Sequence, residues 1–142
     1  MDHVVYLDKK SKEFEYLKQK EKDIILRGAT GRKLPYGRVN EGDVLYFTVN
    51  DGSQLISSKA IVKSTTFTEK LDQITSEAIV DELKDRIKLH PSTLKRFRGK
   101  RYLVVIEIKD FELIESFEFD KSDFSNMDDW LLVEEIERII IK

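Results

Sequence analysis

The fold of this chain is decided by residues 20–33, which read KEKDIILRGATGRK. The segment begins with alternating charges, continues into a short apolar run, and ends in a loop with glycines at positions 28 and 31. The two-residue period of a β-strand places Ile25 and Arg27 on the same face. We therefore predict a strand over Asp23–Arg27 that carries a cation on one face and leads into a loop able to approach a ligand closely.

The same region carries a local excess of positive charge. The whole chain has 25 Lys and Arg against 27 Asp and Glu, a formal net charge of −2, yet residues 27–38 contain four cations and no acid. Exposed backbone N–H groups in a glycine-rich loop favour anions, and a tyrosine in the loop can stack on a base. We predict a ligand site that includes Lys22, Arg27, Arg32, Lys33, Tyr36 and Arg38. The alternative is an ordinary surface loop.

A second basic segment lies in the middle of the chain. Five of the seven residues from 95 to 101 are cationic: Lys95, Arg96, Arg98, Lys100 and Arg101. With aromatic residues at positions 97 and 102, the segment can contact the phosphates of a nucleic-acid backbone. The alternative is a solvated helix end, where cations are favoured in any case. By contrast, residues 110–137 contain eleven acids and one cation, an acidic surface that could meet a basic protein partner.

The composition limits the class of protein. We predict one domain over residues 1–142, since this length suits a single hydrophobic core. The absence of cysteine excludes disulfides, thiol nucleophiles and Cys zinc sites. His3 and His90 have no third ligand at a metal-site spacing, so we expect no metal and no cofactor. No apolar run is long enough to cross a bilayer, and we expect a cytoplasmic protein with no membrane partner. The sequence leaves the oligomeric state open.

The apolar periodicity predicts an α+β fold with about six mostly antiparallel strands and helices packed over the ends of a small barrel. The pattern predicts a helix over residues 12–19 that Asp8 or Ser11 could cap, and a second helix with Thr75 or Ser76 as its cap. A third helix follows Pro91. The predicted strands are His3–Leu7, Asp23–Arg27, Asp43–Val49, Leu55–Ser64 and Tyr102–Ile108, the last continuing after a bend, with Trp130–Val133 as either strand or helix.

The run from Lys20 to Arg27, followed by Gly42-Asp43 at the start of the next strand, resembles the signature of the ASCH family in the PUA-like superfamily. Lys22 matches the lysine of that signature and Arg27 its arginine. The leading glycine is Lys20 here, and the acidic position is Ile25. The resemblance implies a PUA-like β-barrel whose cleft binds RNA or a nucleoside-like small molecule.

Some bacterial members of that family resemble amidohydrolases of acetylated cytidine, with a lysine, a threonine two residues before the arginine, and a distant glutamate. The threonine position is Ile25, which cannot act as a nucleophile, so we favour binding over catalysis. If the chain is an enzyme, Lys22 would act with an acid such as Glu69 or Glu82 on an acylated nucleoside.

Two further features are ambiguous in the sequence. Trp130 could stack on a base in the ligand site, although a single tryptophan is more often a core residue. The acidic pairs Asp128-Asp129 and Glu134-Glu135 could act as general acids or metal ligands, although adjacent side chains usually diverge toward solvent. The leading hypothesis is thus a module that uses a basic cleft to bind RNA, a nucleotide or a modified nucleoside, with a small amidohydrolase and a protein-interaction domain as alternatives.

Overall fold

The computed structural model describes residues 1–122, 124 and 129–141. Its elements in chain order are β1 (Asp2–Leu7), α1 (Glu13–Lys18), β2 (Ile24–Ala29), β3 (Val44–Val49), β4 (Leu55–Phe67), α2 (Gln73–Ile87), α3 (Pro91–Phe97), β5 (Tyr102–Glu118) and β6 (Trp130–Glu134). A 3-10 turn over Ile136–Arg138 follows β6. The longest of the described helices, α2, has 15 residues, and none of them is long and apolar enough to span a membrane.

The six strands form one mixed sheet in the order β2-β5-β4-β3-β1-β6. Four of its five pairings are antiparallel. The fifth, between β1 and β3, is parallel, because the chain passes through α1 and β2 before it returns beside β1. The sheet curls into a half-barrel that carries the three helices, which confirms the predicted α+β fold of six mostly antiparallel strands.

The two longest strands allow this curl. β4 spans 13 residues and β5 spans 17, and the register between them shifts at three places. Each shift is a β-bulge or irregularity that bends and twists the pair locally. β4 therefore continues to Phe67, beyond the predicted end at Ser64. β5 continues through the predicted bend, where Asp110 has a φ of 54°.

β2 is buried on both faces, which confirms the face assignment made from its period of two. Ile25 is fully buried in the cluster inside the half-barrel, together with Phe47 and Ile106. Ile24 and Leu26 belong to a second cluster, formed with apolar residues of α2, α3 and β5. Burial of each such aliphatic side chain contributes about 1.5–3 kcal/mol. The strand is therefore held from both sides, and this fixes the position of the residues at its end.

The last strand resolves the ambiguity at the C-terminus. Residues 130–134 pair antiparallel with β1 as β6, so that the two ends of the chain meet at one edge of the sheet. Val4 and Leu131 are buried in a third cluster with residues of the following turn. The Asp2 carboxylate accepts a hydrogen bond from the N–H of Ile136 over 2.9 Å. The C-terminal turn thereby closes over the outer face of β1 and β6.

The predicted caps of the first two helices are wrong. Lys12, in a left-handed conformation with φ 55°, occupies the N-cap of α1 without a side-chain cap. Asp8 and Ser11 are engaged elsewhere, because the Ser11 hydroxyl donates to Asp8 and accepts from the N–H of His90. The N-cap of α2 is Asp72, three residues earlier than the predicted Thr75. Its carboxylate accepts the Thr75 N–H over 2.7 Å.

Candidate ligand-binding cleft

A cleft of about 270 Å³ opens at the end of β2, between the loop that follows this strand and the C-terminal end of α3. It is lined by backbone and side chains from several parts of the chain. The lining residues are Arg27, Gly28, Ala29, Gly31, Lys33, Leu34, Pro35, Tyr36, Asn50, Arg96, Phe97, Tyr102, Val104 and Asp129. Among these described lining residues, three are cations and one is an acid.

One wall of the cleft is aromatic. The rings of Tyr36 and Tyr102 meet edge to face, with centroids 5.6 Å apart and an interplanar angle of 83°. Phe67 supports Tyr36 from another side, at 5.4 Å between centroids. The Tyr36 hydroxyl donates to the carbonyl of Thr68 over 2.5 Å, which fixes the ring. Arg32 lies at the rim, with its guanidinium carbon 5.7 Å from the Tyr36 centroid and 5.6 Å from that of Tyr102.

Arg27 lies at the inner end of the cleft and joins opposite parts of the curled sheet. Its two terminal nitrogens donate to the carbonyls of Leu26, over 2.8 Å, and Tyr6 of β1, over 2.9 Å. Its Nε lies 3.0 Å from the Asp129 carboxylate, an ion-pair contact that lacks hydrogen-bond geometry. Its guanidinium carbon lies 5.7 Å from the ring centroid of Trp130. Only 6% of Arg27 is exposed, so this cation binds the protein itself at least as much as it faces the cleft.

Trp130 is fully buried beneath Arg27 and does not line the cleft. Its indole N–H donates to His3 Nδ1 over 3.0 Å. Because this nitrogen accepts, the proton of a neutral His3 ring is on Nε2, which donates to Asp43 over 2.9 Å. Burial lowers the pKa of His3 from 6.5, against the opposing effect of Asp43. No sequence pattern marks this chain of buried polar groups, since its partners are 40 and 127 residues apart.

Lys22 also lies outside the cleft. Its side chain is fully buried, its Nζ donates to the carbonyl of Ile87, and it is 3.2 Å from a carboxylate oxygen of Glu13. Burial lowers the pKa of Lys22, and the Glu13 carboxylate opposes that effect. The acids considered from the sequence, Glu69 and Glu82, are both exposed, and the carboxylate beside Lys22 is that of Glu13. Sequence reasoning missed Glu13 because it is one of two acids on a short charged helix.

The remaining loop cations lie in different places. Lys33 lines the cleft together with Tyr36, whereas Arg32 reaches it only through the two tyrosine rings. Arg38 is exposed and is not among the lining residues. The loop therefore brings two of its three predicted cations to the aromatic wall.

The cations of the second basic segment, residues 95–101, also lie in different places. Arg96 lines the cleft, and Lys100 lines a depression next to it. Arg98 is turned toward α2, where it forms ion pairs with Asp81 at 2.8 Å and Glu77 at 3.3 Å. The two other cations of the segment, Lys95 and Arg101, are exposed and line neither cavity.

Two polar residues of the cleft were not predicted from the sequence as ligand contacts, although Asp129 was considered there as a possible general acid. Asn50 follows β3, and its Oδ1 accepts the N–H of Lys9 over 3.0 Å, which leaves its Nδ2 without a partner among the described residues. Asp129 precedes Trp130 and pairs with Arg27. Its neighbour in the predicted acidic pair, Asp128, lies outside the described residues. No local pattern marks either residue, because a turn asparagine and a surface aspartate are common in any loop.

The polar groups that the described side chains bring to the cleft are three cations, two phenol hydroxyls, one amide and one carboxylate. Its described lining includes no serine, threonine, cysteine or histidine. A narrow recess of about 40 Å³ behind it contains Thr93, whose hydroxyl donates to Asp8 over 2.6 Å. Asp8 also accepts from Ser11, and these hydrogen bonds lower its pKa against the effect of burial, which makes it a weak base. Within residues 1–122, 124 and 129–141, no cluster of three or more metal-binding side chains occurs.

No family model matches this chain, and no curated protein matches it significantly.

Structure comparison does identify similar folds. The crystal structure of ASCH from Zymomonas mobilis covers 96% of this chain and 91% of its own, with a TM-score of 0.65 at 12% sequence identity. A variant of the same protein with one tyrosine replaced by phenylalanine gives a TM-score of 0.61 at 13% identity, covering 96% and 94% of the two chains. A variant with one serine replaced by alanine gives 0.60 at 13% identity, covering 96% and 92%. The chain therefore has the fold of the ASCH domain.

Proposed function

We propose that this protein is a binding module for RNA or a nucleotide-like small molecule, with the cleft at the end of β2 as its site. The observation that carries the proposal is the position of the Tyr36–Tyr102 pair beside Lys33 and Arg96 in one concave surface. Aromatic rings stack on any base, and cations next to them attract the phosphates of the same ligand. The fold of the ASCH domain agrees with this class of ligand.

Binding is favoured over hydrolysis by the surroundings of Lys22. The Lys22 amine is enclosed by the Ile87 carbonyl and Glu13, and its side chain is 0% exposed. The neighbouring signature position, Ile25, is a fully buried aliphatic residue. The family resemblance implies a threonine nucleophile at this position, and the described residues that line the cleft carry no aliphatic hydroxyl or thiol.

The proposal can be tested at Tyr36 with two variants that separate its hydroxyl from its ring. Tyr36→Phe keeps the aromatic face and removes only the hydroxyl that donates to Thr68, whereas Tyr36→Ala removes the face itself. Binding would be measured by fluorescence anisotropy with short single-stranded RNAs of each homopolymer sequence. We expect Tyr36→Ala to weaken binding by about 5- to 150-fold, which corresponds to about 1–3 kcal/mol for one stacked base.

The matched controls are Tyr36→Phe, which should bind nearly as well as the wild type, and Arg38→Ala, which removes an exposed loop cation outside the cleft. Affinity should fall as salt rises, because bound phosphates release counterions. Equal affinity for Tyr36→Ala and the wild type in a folded protein would exclude this cleft as the site. The absence of binding to any of the RNAs or to ribonucleoside monophosphates would exclude the function.

A further inference from the structure

A second depression, of about 400 Å³, adjoins the cleft on the other side of the β2 end. It shares Gly28, Ala29, Lys33, Arg96 and Phe97 with the cleft, and its remaining lining residues are Thr30 and Lys100. The two cavities are therefore adjacent along residues 28–29. All three charged residues that line the depression are cations, and none of the described lining residues is a carboxylate.

The depression depends on a close approach between β2 and the end of α3. A Cβ atom on Gly28 would lie 2.9 Å from a methyl group of Leu103, 3.2 Å from the Phe97 ring and 3.4 Å from the Cβ of Lys100. A Cβ contact as short as the one to Leu103 would require a neighbour to move, and both of the nearest neighbours are side chains buried in one apolar cluster. The absence of a side chain at position 28 thus brings Lys100 and the α3 end against the strand that borders the aromatic cleft.

The cations of the depression differ from the other arginines near α3. Arg98 is ion-paired with two acids of α2, and Arg86 with Asp23 and Glu107. Neither Arg96 nor Lys100 lies within 4.0 Å of a described carboxylate, although Arg96 is near enough to Asp8 to contribute to the lowered pKa of that carboxyl. The guanidinium of Arg96 lies 5.6 Å from the centroid of the Phe97 ring. Like charges that share a concave surface repel one another, so an anion bound there would relieve the repulsion.

We propose that this depression is a phosphate subsite and that the cleft binds nucleotides in preference to free nucleosides. The proposal rests on the proposed function. In the arrangement it describes, a base stacks at Tyr36 and Tyr102, the sugar lies over Gly28 and Ala29, and the phosphate accepts charge-assisted hydrogen bonds from Arg96 and Lys100. Such hydrogen bonds are shorter and stronger than neutral ones.

The test compares each of the four common ribonucleosides with its 5′- and 3′-monophosphates by isothermal titration calorimetry. We expect one or both monophosphates to bind about tenfold or more tightly than the nucleoside, since hydrogen bonds to charged groups are the stronger class. This advantage should fall with rising salt and should disappear in Arg96→Ala and Lys100→Ala. The charge-retaining variant Lys100→Arg should preserve it, and Arg38→Ala serves as a control cation outside both cavities.

The outcomes separate this inference from the proposed function. Equal affinities for nucleosides and monophosphates would overturn the phosphate subsite and leave the binding function in place. A monophosphate advantage that survives in both Arg96→Ala and Lys100→Ala would overturn the assignment of the subsite to this depression. If no nucleoside or monophosphate binds but single-stranded RNA does, the subsite for a single phosphate is again overturned, whereas a lack of binding to all these ligands removes both proposals.

Discussion

The guanidinium of Arg27 lies over the indole ring of Trp130, 5.7 Å from its centroid, and both side chains belong to the interior of the protein. The two residues come from strands at opposite edges of the sheet, β2 and β6. Together with the hydrogen bond from Arg27 to the Tyr6 carbonyl, this contact joins the edges of the half-barrel just below the cleft. Arg27 therefore both lines the ligand site and connects the two edges of the sheet.

Because Arg27 connects two edges of the sheet, we expect its replacement to affect the stability of the protein first and ligand binding second. Arg27→Met keeps much of the side-chain volume and removes every donor. We expect a loss of about 1.5–3 kcal/mol in the free energy of unfolding, the range for hydrogen bonds to charged groups. Urea denaturation followed by the fluorescence of Trp130, the only tryptophan, would measure it. Arg38→Met, a change at an exposed site, should stay within about 0.5 kcal/mol, and an equal effect of the two variants would contradict the bridging role.

The strand that carries Arg27 shows how far the sequence alone can lead. Alternation of apolar residues correctly placed Ile25 and Arg27 on one face, because a period of two is a property of the backbone. The same pattern could not show that the inward face of β2 meets β1 and β6, since those strands are distant in sequence. Arg27 was therefore predicted as a ligand contact, and its partners Tyr6 and Asp129 were not foreseen.

The buried pair of Lys22 and Glu13 predicts strong coupling between a charge on α1 and a charge at the start of β2. Lys22→Met would leave the Glu13 carboxylate, which is 1% exposed, without its cation. Removal of one partner of a buried pair typically costs about 3–5 kcal/mol. Glu13→Gln retains an acceptor for the Asp8 N–H, so its effect should be smaller.

A double-mutant cycle would isolate the interaction. The Lys22→Met/Glu13→Gln protein should be less destabilised than the sum of the two single variants, because neither charge is then left alone in the interior. Additive losses in urea denaturation would show that the 3.2 Å contact contributes nothing to stability. The same cycle would explain why a lysine that matches a family signature can be kept for the fold rather than for a ligand.

The helix caps and the tertiary polar contacts could not be predicted from the sequence, for a related reason. Asp8 and Ser11 have the chemistry of a cap, and both come just before α1 in the chain. In the structure the same oxygens bind Thr93 and the N–H of His90, and thereby hold the start of α3 beside β1. A short polar side chain can serve a local or a distant partner, and only the tertiary fold decides between them.

The buried histidine predicts a specific pH dependence of stability. Burial lowers the pKa of His3 in the folded protein below 6.5, although Asp43 and Asp2 oppose the shift and the N-terminal amine adds to it. As pH falls below 6.5, the unfolded chain takes up a proton that the folded protein does not, so stability decreases until the lowered pKa is reached. The slope contributed by one group is at most about 1.4 kcal/mol per pH unit.

Urea denaturation of the wild type and of His3→Gln, at several pH values between neutral and mildly acidic, would give the free energy of unfolding of each protein as a function of pH. The difference between the two curves is the contribution of His3. Gln lacks a titrating group but keeps a donor and an acceptor for Asp43 and Trp130. The His90→Gln variant should retain the pH dependence of the wild type, since His90 lies apart from this cluster. Parallel curves for wild type and His3→Gln would mean that protonation of His3 is not linked to folding.

The last prediction concerns Gly28, which lines the cleft itself. A methyl group there would press on Leu103 and Phe97, at 2.9 and 3.2 Å. Overpacking of this kind costs about 1–3 kcal/mol and would move the end of α3, with Arg96 and Lys100, away from β2. Gly28→Ala should therefore lose both stability and nucleotide affinity. Gly31→Ala is the matched control, because a Cβ at that lining position meets nothing within 4 Å. If the two alanine variants behave alike in urea denaturation and in titration with ribonucleoside monophosphates, the close approach at Gly28 does not shape the site.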